Sequence, residues 1–325
     1  MDCFLSCDWG TSTLRLKLVD THTGAIIAEE SNAQGIAYTY NLWQTLGEAD
    51  ENTKTLFYLN MLQQLIKNME TRLNRSLNGI RLIISGMASS SIGFLELPYS
   101  ELPFSLLGAD LQLGHLPGQA GFDHPVTVVS GIKSDDDVIR GEETQLLGYA
   151  DVSTGPINHE TFVFPGTHSK HIHVNGNKVS GFKTYMTGDF FELLSQKSIL
   201  SNAVEEDDDM ETDHSDIFKQ GVADSINANL LNAAFKVRTN NLFGVYNKKQ
   251  NFNYLSGLLI GTELKDLLNS QAQKIHLICG AVLQRYYRMA FEHLGMLGKV
   301  EVYAPQRVEY AVVRAHYKIY NQIEQ

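Results

Sequence analysis

Apolar and polar positions alternate from the first residues of the chain. Residues 3–7 are mostly apolar, Asp8-Trp9-Gly10-Thr11-Ser12-Thr13 is polar and turn-like, and Leu14, Leu16 and Leu18 alternate with Arg15 and Lys17. A period of two marks a half-buried strand, so this stretch predicts strand, turn, strand. Thr21-His22-Thr23-Gly24 then turns into a third short strand over 25–29. Leu56, Leu59, Met61, Leu62, Leu65, Ile66 and Met69 lie near helical spacing and predict a helix over 53–72. Strands follow at 80–84, ending in Ser85-Gly86-Met87, and at 126–129. From Asp135-Asp136-Asp137 the pattern predicts a helix running to about residue 150.

A second copy of this plan opens with a strand at 161–164, followed by Pro165-Gly166-Thr167 and a strand pair hinged at Asn175-Gly176, a strong hairpin signal. Helices are predicted at 189–195, 216–235, 252–269 and 283–294, a strand at 300–303, and a closing helix from about 307. Residues 205–216 hold eight acidic side chains in twelve and read as a solvated loop. Strands paired early and then alternating with helices give an α/β chain of mixed sheets flanked by helices. The expected division is 1–148 and 149–325.

At 325 residues the chain has room for two ordinary domains, and 43% hydrophobic with 19% charged residues is a globular balance. Lys plus Arg is 26 against 37 Asp plus Glu, a net charge of −11, so the basic footprint of a nucleic-acid binder is missing. The apolar runs at 80–84 and 255–260 are too short to cross a bilayer, and the start, MDCFLSCDWG, lacks the basic region of a signal peptide. Cys3, Cys7 and Cys279 make no disulfide framework. The expectation is a soluble, acidic, cytoplasmic protein with no membrane and no nucleic-acid partner.

Candidate chemistry begins with what is missing. No two glycines are separated by a single residue, and the one Gly-Lys pair, Gly298-Lys299, is followed by Val300. Rossmann and Walker A loops are both ruled out. Two loops of Gly and hydroxyl residues follow strands instead. In the first, Gly10 lets backbone N–H groups approach a phosphate, Thr11, Ser12 and Thr13 offer hydroxyls, and Asp8 is placed to hold Mg²⁺ through water. The second is Gly166-Thr167-His168-Ser169-Lys170. A third feature is Asp137-Val138-Ile139-Arg140-Gly141-Glu142-Glu143-Thr144-Gln145. On a helical wheel Glu142 and Glu143 share the half occupied by Val138, Ile139, Leu146, Leu147 and Ala150. Carboxylates on a buried stripe need a partner, so they either reach a polar cleft as a general base or pair with a cation such as Arg140. Both options stay open from this segment. His171 and His173 share one strand face, but without a familiar set of further ligands they read as exposed hairpin residues.

These strings, taken in order, resemble the 2-dehydro-3-deoxygalactonokinase family of the actin, hexokinase and Hsp70 ATPase superfamily. The motifs are Asp8-Trp9-Gly10-Thr11-Ser12-Thr13-Leu14-Arg15, Ser85-Gly86-Met87, Arg140-Gly141-Glu142-Glu143-Thr144-Gln145, Pro165-Gly166-Thr167-His168-Ser169-Lys170, Met186-Thr187-Gly188 and Leu255-Ser256-Gly257-Leu258-Leu259-Ile260-Gly261. The resemblance implies two ribonuclease-H-like domains around a nucleotide cleft. It implies transfer of the ATP γ-phosphoryl group to the 6-hydroxyl of 2-dehydro-3-deoxy-D-galactonate, with Mg²⁺ at Asp8. Gly10, Thr11, Ser12, Thr13, Gly166, Thr167, Gly257, Gly261, Gly280 and Ala281 become the expected nucleotide contacts. Glu142 is the expected base, with Asp137 and Glu143 as competitors and Asp8 as the metal anchor. Arg15, Ser85, Gly86, Met87, Ser91, Arg140, His168 and Lys170 are the expected contacts to the sugar acid.

The string Ala88-Ser89-Ser90-Ser91-Ile92-Gly93-Phe94 departs from the family's usual Gly-Ser start and later Gly-Trp. Ser91 and Phe94 are therefore expected to bear on which sugar acid is preferred. The alternatives are a kinase of a related 2-keto-3-deoxy acid or another sugar, and a nucleotide- or sugar-binding sensor without catalysis. Homo-oligomerisation is left open.

Overall fold

The computed structural model describes residues 2–47, 51–150, 152–207 and 214–324. The chain divides into two compact units, Met1–Pro156 with Gly176–Gly181 and Gln306–Gln325, and Ile157–Asn175 with Phe182–Pro305.

The first unit is built on a sheet that begins with β1 (Cys3–Trp9), β2 (Leu14–Asp20) and β3 (Ile26–Asn32). Helices α1 (Ile36–Thr45) and α2 (Glu51–Leu73) follow, then β4 (Leu82–Gly86). After them come β5 (Ser100–Glu101), β6 (Phe104–Ser105), β7 (Leu113–Leu116), β8 (Val126–Val129), β9 (Ile132–Lys133), β10 (Val138–Ile139) and α3 (Glu142–Tyr149). The main sheet runs β3-β2-β1-β4-β8-β7, with β1–β4 and β4–β8 parallel and the other pairs antiparallel. A small sheet runs β10-β9-β5.

β1 is nearly apolar throughout because both of its faces are covered. Leu5, Cys7 and Trp9 join Leu62, Ile66 and Met69 of α2 in one core. Phe4 on the other face packs with Val313 and Ile319 of the last helix, α9 (Pro305–Ile323). On that face Ser6, itself buried, is bonded to the buried His316 at 2.8 Å. α9 also lies so close to α3 that a Cβ on Gly148 would sit 1.8 Å from the Ala311 carbonyl. The Lys318 ammonium caps α3 by donating to the carbonyls of Leu147 and Ala150.

The second unit carries β11 (Glu160–Phe164), β12 (Ser169–Asn175), β14 (Lys274–Leu277), β15 (Val300–Val302) and, from Phe182 onward, β13 (Lys178–Tyr185). They stand in the order β15-β14-β11-β12-β13. β11 is parallel to β14 and antiparallel to β12. Its helices are α4 (Thr187–Glu192), α5 (Ser215–Asn227), α6 (Leu230–Leu242), α7 (Lys248–Leu268) and α8 (Ala281–His293). A capping box, Asn247 with Gln250, starts α7. Among the described residues no helix is long and apolar enough to cross a membrane.

The α/β class expected from the pattern is the one observed: mixed sheets flanked by helices. Three local expectations are corrected. The helix expected from residue 135 begins at Glu142. Ser134 and Asp137 close a turn in which the Asp137 N–H donates to Ser134 Oγ at 3.0 Å, β10 follows, and Gly141 at φ 111° reorients the chain into α3. The single helix expected over 216–235 is two, because Ala228 is extended (ψ 151°) and the Asn229 side chain caps α6 at the Leu231 N–H. His171, expected to be exposed, is buried and bonded to Glu263 of α7. In the acidic run, Asp207 is bonded to His214 at 2.7 Å, and 208–213 lie outside the described residues.

Candidate active site

In the first unit the candidate residues gather at the carboxyl ends of the parallel strands β1 and β4, where open α/β sheets bind ligands. Asp8 stands opposite Arg15 on β2 and opposite Ser85 on β4. The Arg15 guanidinium is 3.1 Å from Asp8 Oδ2, with about a fifth of the Asp8 side chain and half of Arg15 exposed. Burial pushes the Asp8 carboxyl above its ordinary pKa, and the adjacent Arg15 charge opposes this. Ser85 is fully buried, and its hydroxyl finds no partner among the described residues.

Gly86 brings this strand end to α3. It adopts φ 88°, and a Cβ there would lie 2.7 Å from the Trp9 carbonyl and 3.5 Å from Asp8 Oδ1. A Cβ on Gly141 would in turn lie 3.5 Å from Gly86 Cα. Two glycines without side chains thus let the start of α3 approach the Asp8 strand end. Glu142 is half-buried at that start.

Glu143 points inward. Its carboxyl accepts from the Gly141 N–H at 2.6 Å and the Thr144 hydroxyl at 2.9 Å, and it is fully buried. Burial, and then the neighbouring Glu142 charge, push its pKa from 4.5 up to about 7. Both oxygens are engaged by its own helix start, which makes Glu143 a cap. Asp137 is held in the turn at the opposite end of β10, where it accepts from the Val138 N–H at 2.7 Å. Arg140, the cation expected either to pair with these glutamates or to meet the substrate, turns elsewhere. Its Nη1 donates to the carbonyl and hydroxyl of Ser89, and its guanidinium stacks 4.2 Å from the Tyr99 ring.

The loop over 10–13 is fixed from behind. The Gly10 N–H donates to the Thr13 carbonyl at 2.9 Å, and the carbonyls of Gly10 and Thr11 accept from Ile36 and Ala37 at the start of α1. Thr11 and Ser12 are exposed and Thr13 is half-buried. Ser91 is exposed in the loop after β4, whose backbone is held by Lys54, Tyr58 and Thr55 at the carbonyls of Ser91, Ile92 and Phe94. Phe94, expected with Ser91 to bear on the preferred sugar acid, is buried against Trp9 and Tyr58 and faces the core. Met87 is half-buried beside Gly86.

In the second unit Gly166-Thr167-His168 follows β11, with Thr167 and His168 exposed. The Gly166 N–H is turned inward to Ser169 Oγ at 3.3 Å. His168 lies 3.8 Å from Asp189, and the Lys170 ammonium donates to the His168 carbonyl at 2.7 Å. Gly280, separated from the Leu277 end of β14 by Ile278 and Cys279, precedes α8 with open space around it, so Gly280 offers bare backbone and Ala281 only a methyl group at a helix N-terminus. Gly257 and Gly261 are elsewhere. A Cβ on Gly257 would meet the Phe218 carbonyl at 2.0 Å, and one on Gly261 would meet Ser225 Oγ at 2.3 Å, so both serve the close packing of α7 on α5 and not a ligand.

Glu263 was missed by sequence reasoning. This buried carboxylate of α7 accepts from His171 at 2.9 Å, from Tyr287 at 2.6 Å and from Thr187. The signal was available: a charge between Thr262 and Leu264 within an apolar helix needs a partner.

Among the described residues no group of three or more His, Cys, Asp or Glu could hold a metal ion. Asp8, a single partly exposed carboxylate, fits Mg²⁺, which keeps much of its water and takes other oxygens from substrate phosphates.

Residues 8–310 match the model of the 2-keto-3-deoxy-galactonokinase family. A Rhizobium meliloti protein named "Probable 2-dehydro-3-deoxygalactonokinase" is 31% identical over 308 residues, covering 90% of each chain. The Escherichia coli 2-dehydro-3-deoxygalactonokinase is 29% identical over 222 residues, covering 66% of this chain and 70% of its own. A crystal structure from Sinorhizobium meliloti bearing the same enzyme name superposes with a TM-score of 0.77 at 27% identity, over 98% of this chain and 97% of that one. The chain belongs to the 2-keto-3-deoxy-galactonokinase family, a family of sugar-acid kinases.

Proposed function

We propose that the protein transfers the γ-phosphoryl group of ATP to the 6-hydroxyl of 2-dehydro-3-deoxy-D-galactonate, giving ADP and the 6-phosphate. The observation that carries the site assignment is the succession of contacts Asp8, Gly86, Gly141, which brings a partly exposed carboxylate to the start of the helix bearing Glu142. Phosphoryl transfer asks little covalent work of a protein; positioning and charge neutralisation dominate.

Asp8 would hold a hydrated Mg²⁺, and that ion would supply neutralisation of charge on the terminal phosphates. Arg15 keeps the Asp8 carboxyl oriented and opposes the effect of burial on it. The exposed hydroxyls of Thr11 and Ser12 and the bare backbone of the 10–13 loop take phosphate oxygens. In the second unit Thr167 and His168 offer the loop tip, and the Gly280-Ala281 turn offers a flat backbone surface to the nucleoside. Glu142 orients the sugar hydroxyl and accepts its proton, since Glu143 is occupied as a cap and Asp137 is tied in its turn. Ser91 is the exposed position in the loop that departs from the family pattern, so it is the place to look if a related 2-keto-3-deoxy acid proves the better substrate.

The test is steady-state turnover of Asp8→Asn and Glu142→Gln with Mg-ATP and the sugar acid. Each lowers kcat by about a hundredfold or more, the size of a lost charge-neutralising or proton-accepting group, with an unchanged far-UV spectrum. Near-normal turnover by Glu142→Gln would remove Glu142 as the base.

A further inference from the structure

We propose that Glu263 is a positioning residue for the Gly166-Thr167-His168 loop, holding it in place for the nucleotide through Tyr287, Ser169 and Thr187. The inference rests on the nucleotide reading of that loop given above.

One arm is a chain of hydrogen bonds. The Gly166 N–H donates to Ser169 Oγ at 3.3 Å, Ser169 Oγ lies 3.1 Å from the Tyr287 hydroxyl, and that hydroxyl donates to Glu263 Oε2 at 2.6 Å. The donor at each end fixes the direction of the middle. Tyr287 gives its proton to the carboxyl group, so its oxygen accepts from Ser169, whose own oxygen accepts from Gly166. All three protons point towards Glu263, and bonds aligned in this way reinforce one another.

A second arm reaches the loop from behind. The Thr187 hydroxyl donates to the same Glu263 oxygen. The next residue, Gly188, lies against the loop so closely that a Cβ would come within 2.7 Å of the Gly166 carbonyl and of Thr167 Cα. The Asp189 N–H then donates to the Thr167 carbonyl at 3.0 Å. His171, two residues beyond Ser169 on β12, completes the set by sharing a 2.9 Å bond with the other Glu263 oxygen. One carboxylate, with 1% of its side chain exposed, therefore anchors the strand leaving the loop, the helix start behind it and the tyrosine beneath it. The loop tip, Thr167 and His168, stays exposed between fixed neighbours. A network serving only core stability has no need to end on the loop's own amide and backing strand.

The test uses the full chain with four variants: Tyr287→Phe, Thr187→Val, Thr187→Ser and Thr167→Asp. The readouts are KM for Mg-ATP, KM for the sugar acid, kcat, Mg-ADP affinity by calorimetry, and Tm. Tyr287→Phe and Thr187→Val raise KM for Mg-ATP and weaken Mg-ADP binding about tenfold, the equivalent of about one hydrogen bond lost from loop placement. KM for the sugar acid stays within about twofold. Thr187→Ser restores the hydroxyl and with it near-normal nucleotide affinity. Thr167→Asp puts a negative charge at the exposed tip and weakens nucleotide binding with little change in Tm. If Tyr287→Phe and Thr187→Val lower Tm but leave nucleotide affinity unchanged while Thr167→Asp weakens it, the positioning role is overturned and the loop reading survives. If Thr167→Asp also leaves nucleotide affinity unchanged, the loop reading falls and the positioning role falls with it. Should Tyr287→Phe fail to fold, the contrast between Thr187→Val and Thr187→Ser decides the matter alone.

Discussion

Replacing Glu143 by Gln should change how the stability of this protein depends on pH. In the folded chain the Glu143 carboxyl is fully buried beside Glu142, and its pKa rises from 4.5 to about 7. Between those two values the folded state keeps the proton and the unfolded state has lost it. Stability therefore falls as pH rises through this window: the contribution is fully present below about 4.5 and is lost by about 7. The gap between the two values is worth about 3 kcal/mol, an upper figure to the extent that Glu142 or the surrounding backbone relaxes. Gln has the same shape and no proton to lose. Its carbonyl can accept the Gly141 N–H, and its amide can donate to the Thr144 hydroxyl, which turns to accept, so the cap is kept. The measurement is urea unfolding of the parent and the Glu143→Gln variant at half-unit steps from pH 5 to 8. Taking the difference between the two curves cancels the titrating groups that do not interact with Glu143. The variant should gain on the parent by about 2–3 kcal/mol across the range, with the gain concentrated below pH 7. A difference that stays flat from pH 5 to 8 would refute the buried-carboxyl account of Glu143.

Two further substitutions test the glycines. Gly86→Ala puts a Cβ 2.7 Å from the Trp9 carbonyl on a backbone at φ 88°, so it should destabilise by about 2 kcal/mol or more and depress kcat through displacement of Asp8, seen in thermal melts and turnover together. Gly257→Ala brings a Cβ to 2.0 Å from the Phe218 carbonyl and should lower Tm by several degrees by prising α7 from α5. Because Gly257 faces α5 and not the loop, KM for Mg-ATP in the folded fraction should stay unchanged.

Local pattern carried much of this structure. The alternation of Leu14, Leu16 and Leu18 with Arg15 and Lys17 yields β2, and the apolar spacing of 53–72 yields α2, because in both cases one face meets the core and the other meets water. Asn175-Gly176 marks the β12–β13 hairpin, whose turn places Gly176 and Asn177 at positive φ. What local pattern could not show depended on distant partners. Helix α1 was not read from the sequence, since Ile36-Ala37-Tyr38-Thr39-Tyr40 has weak periodicity; its first amides bond to the carbonyls of the 10–11 turn. The break between α5 and α6 falls at Ala228-Asn229, residues that a helix tolerates, and is made by a cap visible only once the chain has turned. No local signal says which unit a C-terminal amphipathic helix joins, and α9 from Gln306 onward lies with the first.

The candidate site shows the same division. The motifs that supply Asp8, Gly86 and Gly141 lie far apart in the sequence, and the structure brings them together at one strand end with Glu142 at the start of the next helix. The wheel over 138–150 placed Glu143 on a buried face for a partly wrong reason. Val138 and Ile139 belong to β10, and the burial of Glu143 comes from the sharp entry into α3 at Gly141. Arg140 shows how little charge alone reveals, since its direction is set by the Tyr99 ring and Ser89. His171 and Glu263 are 92 residues apart, and only the fold unites them.

The central claim is sugar-acid phosphorylation, and a coupled ADP-release assay tests it most directly. Mg-ATP would be offered with 2-dehydro-3-deoxy-D-galactonate, its gluconate epimer, galactonate, galactose and glycerol in turn. The account predicts turnover concentrated on 2-dehydro-3-deoxy-D-galactonate, with the product phosphorylated at the 6-hydroxyl. Absence of turnover on every member, from protein that still binds Mg-ATP, would contradict it.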